Sequence, residues 1–288
     1  MSHSLGVNGP ASHSGLVGSE SIERESPLSL KRSATLTQTA QRPNENFALP
    51  GRLSNPSKDQ MCLHTREAAR LFTGSFADRK KTIPAIMGGR NCAAAMKSMA
   101  YLSGEDNPYA DWALVRLMQR LEVLRERLKK MSTESIAQLE HSRTLGLQLS
   151  VLVSNRPLTI DLGFRSPYGF VVAQTVVEFD YFVRLTQTLM QRGLLSQAIA
   201  GSQILNMSQN IFRLFQKAVR QETLLSSELL KHIKRSDFLA VNDESAVKRC
   251  AKALSTFGQL PAEVLSKTLR PAFALYQSPM HSRAGDLR

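Results

Sequence analysis

"RPLTIDLGFRSPYGFVVAQ", residues 156–174, runs from a strictly alternating segment straight into a helix start. Leu158, Ile160, Leu162 and Phe164 fall on one face of an extended strand, and Thr159, Asp161 and Gly163 on the other. The flanking sequence reads mainly as helix. A lone strand leaves its own backbone donors and acceptors unpaired, so a strand over 157–164 must pair with a neighbour in its chain or with its copy in a second chain.

Two partners compete. Residues 147–153, "LQLSVLV", also alternate, with Leu147, Leu149, Val151 and Val153 on one face, and would make a hairpin inside the chain. Alternatively the 157–164 strand pairs across a two-fold axis with its copy. Downstream, Ser166 and Pro167 form a cap-plus-proline start for a helix ended by Gly193, and Ser196 opens another. Upstream, helices are expected over 61–72, over 90–104 and from Pro108 to about His141, capped by Asp106 or Asn107. Three shorter ones are expected at 223–235, 242–258 and 260–271. On the longest helix, Leu114, Leu117, Leu121, Leu124, Leu128 and Met131 are spaced 3, 4, 3, 4, 3. Such a seam serves either a coiled coil or the buried stripe of a helix within a bundle.

Charge and composition divide the chain. Within residues 1–57, 24 positions are Ser, Thr, Gly or Pro and Phe47 is the only aromatic, so this segment is expected to be a disordered tail that contributes little to folding. Residues 58–288 are expected to form one mainly helical unit. They carry 32 basic against 20 acidic residues, nearly all of the chain's net +13. A polyanion is the expected partner, double-stranded DNA first. There is no signal-peptide pattern, no apolar run long enough for a bilayer, and three scattered cysteines, Cys62, Cys92 and Cys250. These point to a cytoplasmic protein with no membrane partner.

The residues offer no catalytic constellation. The six histidines lack metal-ligand spacing with each other or with the cysteines, so neither a metal nor another cofactor is expected. The glycine pair of "MGGRN", 87–91, follows no strand and precedes no Lys-Ser/Thr, and reads as a turn before a helix.

A strand followed by two capped helices in a basic chain is the order of a ribbon-helix-helix DNA-binding unit, in which strands of two chains form a ribbon that enters the major groove. In that arrangement Leu158, Ile160, Leu162 and Phe164 cover the core and join the dimer. Thr159 and Asp161 face the bases, and Arg156 and Arg165 meet phosphates. The residues alone leave this reading level with an intrachain hairpin.

"DNPYADWALVRL" at 106–117, the segment from Arg156 to Leu189, "QRGLLS" at 191–196 and "FGQLPAEVLSKTLRP" at 257–271 carry a resemblance. Over about residues 60–275 the chain resembles proteins encoded by bacterial integrating conjugative elements, a family similar to the AcaB transcriptional regulators of conjugative plasmids. The resemblance implies a dimeric DNA-binding regulator with a ribbon-helix-helix element that activates transfer genes. The competing reading is a non-catalytic accessory protein that docks on other conjugation proteins.

Overall fold

The strand at the centre of the sequence finds its partner inside the chain. In the computed structural model, which describes residue 53 and residues 57–74, 86–240 and 242–274, β1 (Gln60–Leu63) pairs antiparallel with β2 (Leu158–Asp161). The register sets Gln60 opposite Asp161 and Leu63 opposite Leu158. Leu162 N–H donates to Asp59 C=O at 2.7 Å and extends the ladder by one pair. Met61 and Leu63 point into the core while Gln60 and Cys62 face solvent, so β1 obeys the same period of two as β2.

Two expectations are thereby corrected. Residues 61–72 do not form one helix: Gln60–Leu63 is a strand, and α1 spans Arg66–Thr73, started by the Thr65 hydroxyl, which accepts from Ala68 N–H. Residues 147–153 are not a strand. In their midst Leu152 bonds to side chains of α4 (Pro167–Gln191): its N–H donates to the Thr188 hydroxyl at 3.0 Å, and Arg184 Nε donates to its C=O at 2.8 Å. Leu149 and Val151 pack beside Leu139, Leu185 and Leu189.

The remaining elements are helical. α2 (Gly89–Gly104) packs on α3 (Pro108–Thr144), α4 and α5 (Gln197–Leu225). Gly88 caps α2 at the turn expected for "MGGRN", and a Cβ there would collide with the backbone of Phe72 and Gly74, so the chain passes itself too closely for a side chain. Asn107, not Asp106, caps α3 by accepting from Tyr109 and Ala110 N–H, with Pro108 in the first turn. Ser196 caps α5 and Asp243 caps α6 (Glu244–Phe257). Residues 223–235 are not a separate helix: α5 continues to Leu225, and 3₁₀ turns follow at Leu230–His232 and Arg235–Phe238. The helix expected over 260–271 is a single turn, α7 (Ala262–Leu265). The tail expected over residues 1–57 lies, apart from residues 53 and 57, outside the described residues.

The heptad-like stripe of α3 faces the interior of its own chain. Leu114, Leu117, Leu121 and Leu128 are fully buried with Val172, Val176 and Phe179 of α4 and Ile211 and Phe215 of α5, and Leu124 and Met131 pack at the margin. Each such side chain stabilises the fold by roughly 1.5–3 kcal/mol.

Two buried polar networks fix how these layers sit. Asp180 of α4, 2% exposed, accepts on one carboxylate oxygen from His64 N–H, Thr65 N–H and the Thr65 hydroxyl, at 2.9, 2.8 and 2.8 Å. At the other end, Arg235 joins Asp106 and Asp111 at 2.6 Å each and donates to Val264 C=O, while Ser103 donates to Asp111. Burial raises the Asp106 carboxyl, but hydrogen bonds from Lys267 and Arg235 outweigh it and hold the group below the usual carboxylate range. Asp180→Ala strands three donors at the junction of β1 and α1 and is expected to cost roughly 3–5 kcal/mol in urea unfolding. A loss below about 1 kcal/mol would show that this carboxylate does not anchor the strand.

Candidate nucleic-acid interface

The pairing of β1 with β2 builds one polar surface from two distant segments. Because Leu162 N–H bonds Asp59 C=O, the pairs 59/162, 61/160 and 63/158 exchange the ladder hydrogen bonds. The pairs Gln60/Asp161 and Cys62/Thr159 are then the close, non-hydrogen-bonded kind, with side chains on the solvent face. Their backbone groups point away from the partner strand. Among the described residues nothing pairs with the outer edge of β2.

On the solvent face, Gln60 Nε2 donates to Asp161 Oδ1 at 2.7 Å and Lys58 Nζ lies 3.4 Å from Asp161 Oδ2. These contacts, Gln60 first and Lys58 second, hold the Asp161 carboxyl below its ordinary range. The charge that would repel a phosphate is thus met within the ribbon, though the contact is exposed and weak. Thr159 stands exposed opposite Cys62, whose exposed thiol has its Sγ 3.9 Å from His64 Nε2. Arg156 and Arg165 are exposed at the two ends of β2 and form no ion pair among the described residues. Thr159 and Asp161 thus lie on the solvent face of the ribbon, and Arg156 and Arg165 are exposed just beyond its ends.

Lys58, Gln60 and Cys62 join that face and were not expected there. The only local signal for them is the alternation of "QMCL", which is four residues long. Among the described residues no three His, Cys, Asp or Glu side chains gather as a metal site, and no helix is long and apolar enough to cross a membrane.

Beneath the ribbon, Ile160, Leu162 and Phe164 pack against the core, whereas Leu158, expected there too, is 45% exposed at the end of the strand. Phe164 sits edge-on to Phe72 of α1 and Phe170 of α4, with ring centroids 6.4 and 5.8 Å away. Its ring fills the place a Cβ on Gly169 would take. Ser166 occupies the cap position of α4, but its hydroxyl makes no capping bond, and Pro167 stands in the first turn. The strand is therefore aimed by one aromatic ring held over a glycine.

A family model described as "Transcriptional regulator AcaB" matches residues 50–276. No curated protein matches the chain. Among solved structures, selenomethionine-containing AcaB from uropathogenic E. coli is similar at 14% sequence identity. That alignment covers 74% of this chain and 97% of the other, with a TM-score of 0.45.

Gly169→Ala should displace the Phe164 ring and destabilise the protein by roughly 1–3 kcal/mol in urea unfolding. Unchanged stability would mean that the end of β2 is not held by that contact.

Proposed function

Because the chain belongs to the AcaB family of transcriptional regulators, we propose that it binds double-stranded DNA as a dimer and activates transfer genes of a conjugative element. The observation that carries the reading is the ribbon itself. It presents a polar solvent face and, among the described residues, an open edge on β2 and two arginines without an ion pair, with α4 and α5 following in the order strand, helix, helix.

The dimer in this reading joins two β2 strands edge to edge across a two-fold axis, giving the strand order β1-β2-β2-β1. Strands lie about 4.8 Å apart and the major groove is about 12 Å wide, so the central β2 pair enters the groove and each β1 lies over its rim. Thr159 then meets base edges. Asp161 accepts from a cytosine amine once Gln60 or Lys58 releases it, and Arg156, Arg165 and Lys58 engage phosphates.

The triple variant Arg156→Ala, Thr159→Ala, Arg165→Ala should stay folded and dimeric and lose at least about tenfold in duplex affinity by fluorescence anisotropy. Its log–log salt slope should fall by about 1.8, for two lost phosphate contacts. Unchanged affinity would overturn the ribbon assignment. Asp161→Pro removes an N–H that points to the open edge rather than to β1, so sedimentation should show a folded monomer. A dimer that survives this change would place the two-fold axis elsewhere.

A further inference from the structure

Three buried or half-buried arginines of this protein are spent on carboxylates: Arg125 on Glu178, Arg235 on Asp106 and Asp111, Arg249 on Asp237. A second set is not. Arg116 and Arg120 of α3 and Arg213, Lys217 and Arg220 of α5 line the groove where these two helices meet, and none makes an ion pair among the described residues. Spacings of four on α3 and of four and three on α5 put each set on one helix face. No carboxylate lines the groove at either end. Burial, then Arg120 and Arg116, push the Lys217 ammonium below its ordinary range. An anion that enters the groove would relieve this repulsion.

The groove also has features that a bare anion does not need. One end widens into a cavity of about 550 Å³, walled by Trp112 of α3 and by Thr256 and Phe257 of α6, a volume within the range of small-molecule sites. The Arg116 guanidinium lies 4.7 Å from the centre of the Trp112 ring. Gln221 stands on the α5 wall, its Oε1 buried and without a hydrogen-bond donor among the described residues. A buried acceptor without a partner costs stability unless a ligand or water supplies the donor.

We propose that the α3–α5 groove is a binding site for a nucleotide-class ligand, with its phosphates on Arg116, Arg213, Lys217 and Arg220 and its ring against the aromatic wall. Packed helices lie roughly 8–10 Å apart, so the groove between them is narrower than a DNA duplex and admits a free nucleotide more readily than the phosphodiester backbone. None of these residues belongs to the ribbon, so the site stands independently of the DNA-binding reading.

The chain has one tryptophan, Trp112, so its fluorescence reports directly on this cavity. Titrating the full chain with ATP and with GTP should give a saturable change in emission for at least one of them, with Kd on the order of micromolar. Inorganic triphosphate should bind about tenfold or more weakly, and adenosine and guanosine should give no saturation below about 1 mM. Arg213→Gln with Lys217→Gln, judged folded by an unchanged melting temperature, should weaken nucleotide binding at least about tenfold and leave duplex affinity within about threefold. Should that pair lower the melting temperature, the single Arg220→Gln variant, at an exposed position, is held to the same outcome. The ribbon triple variant should bind nucleotide normally. The proposal is overturned if neither nucleotide gives a saturable response at about 1 mM or if triphosphate binds as tightly as the nucleotides. It is also overturned if the groove variants lose duplex affinity and not nucleotide, which would make the groove a DNA backbone contact.

Discussion

One carboxylate oxygen holds the ribbon to the helical body. Asp180 sits on the buried face of α4, where a lone charge would be costly, and three donors from His64 and Thr65 surround it at hydrogen-bond distance. Those donors lie where β1 ends and α1 begins. The contact therefore fixes the height of β1 above α4, and β1 in turn fixes β2 through the register Gln60/Asp161 to Leu63/Leu158. Without it the short ribbon would depend on a few apolar contacts and its own ladder, and isolated two-stranded ribbons are marginal in water.

The helices were legible because their ends carry chemistry that acts locally. Asn107 with Pro108, Ser196 and Asp243 each start a helix at or next to the position read from sequence. Elements whose partners lie far away were not legible. Gln60–Leu63 alternates, but four residues cannot outweigh the longer helical pattern that follows, and its partner strand lies about a hundred residues on. Residues 147–153 alternate more convincingly and still form no strand; side chains of α4, Thr188 and Arg184, take both peptide groups of Leu152. The heptad-like spacing on α3 reported a buried stripe without saying whose core would bury it. For the candidate interface, sequence offers Thr159 and Asp161 on one strand with Arg156 and Arg165 flanking it, while Lys58, Gln60 and Cys62 lie on or beside the strand that was missed.

Composition likewise registered the excess of positive charge without distinguishing two kinds of cation. Arg125, Arg235 and Arg249 face carboxylates at 2.6–2.9 Å and tie α3 to α4, the 3₁₀ segment to α3, and α6 to the 3₁₀ segment. Burial of such pairs makes them strong registers and poor ligand sites, since removing either partner leaves an uncompensated charge. Among the described residues, the arginines at the ribbon ends and the cations of the α3–α5 groove belong to no such pair. Only the fold separates them from the structural set.

The ribbon's two strands also constrain the order in which the protein can be made. Gln60 and Asp161 are 101 residues apart, with α1, α2 and the whole of α3 between them. At the usual pace of ribosomal synthesis, about 5–20 residues per second, β1 leaves the ribosome roughly 5–20 s before its partner exists. Closing so long a loop is also entropically slow compared with winding the helices. The polar face of the ribbon therefore comes into being only after α2 and α3 have been synthesised and β2 has joined β1. A nascent or truncated chain that stops short of Asp161 carries part of the chain's positive charge without the polar face that β1 and β2 build together.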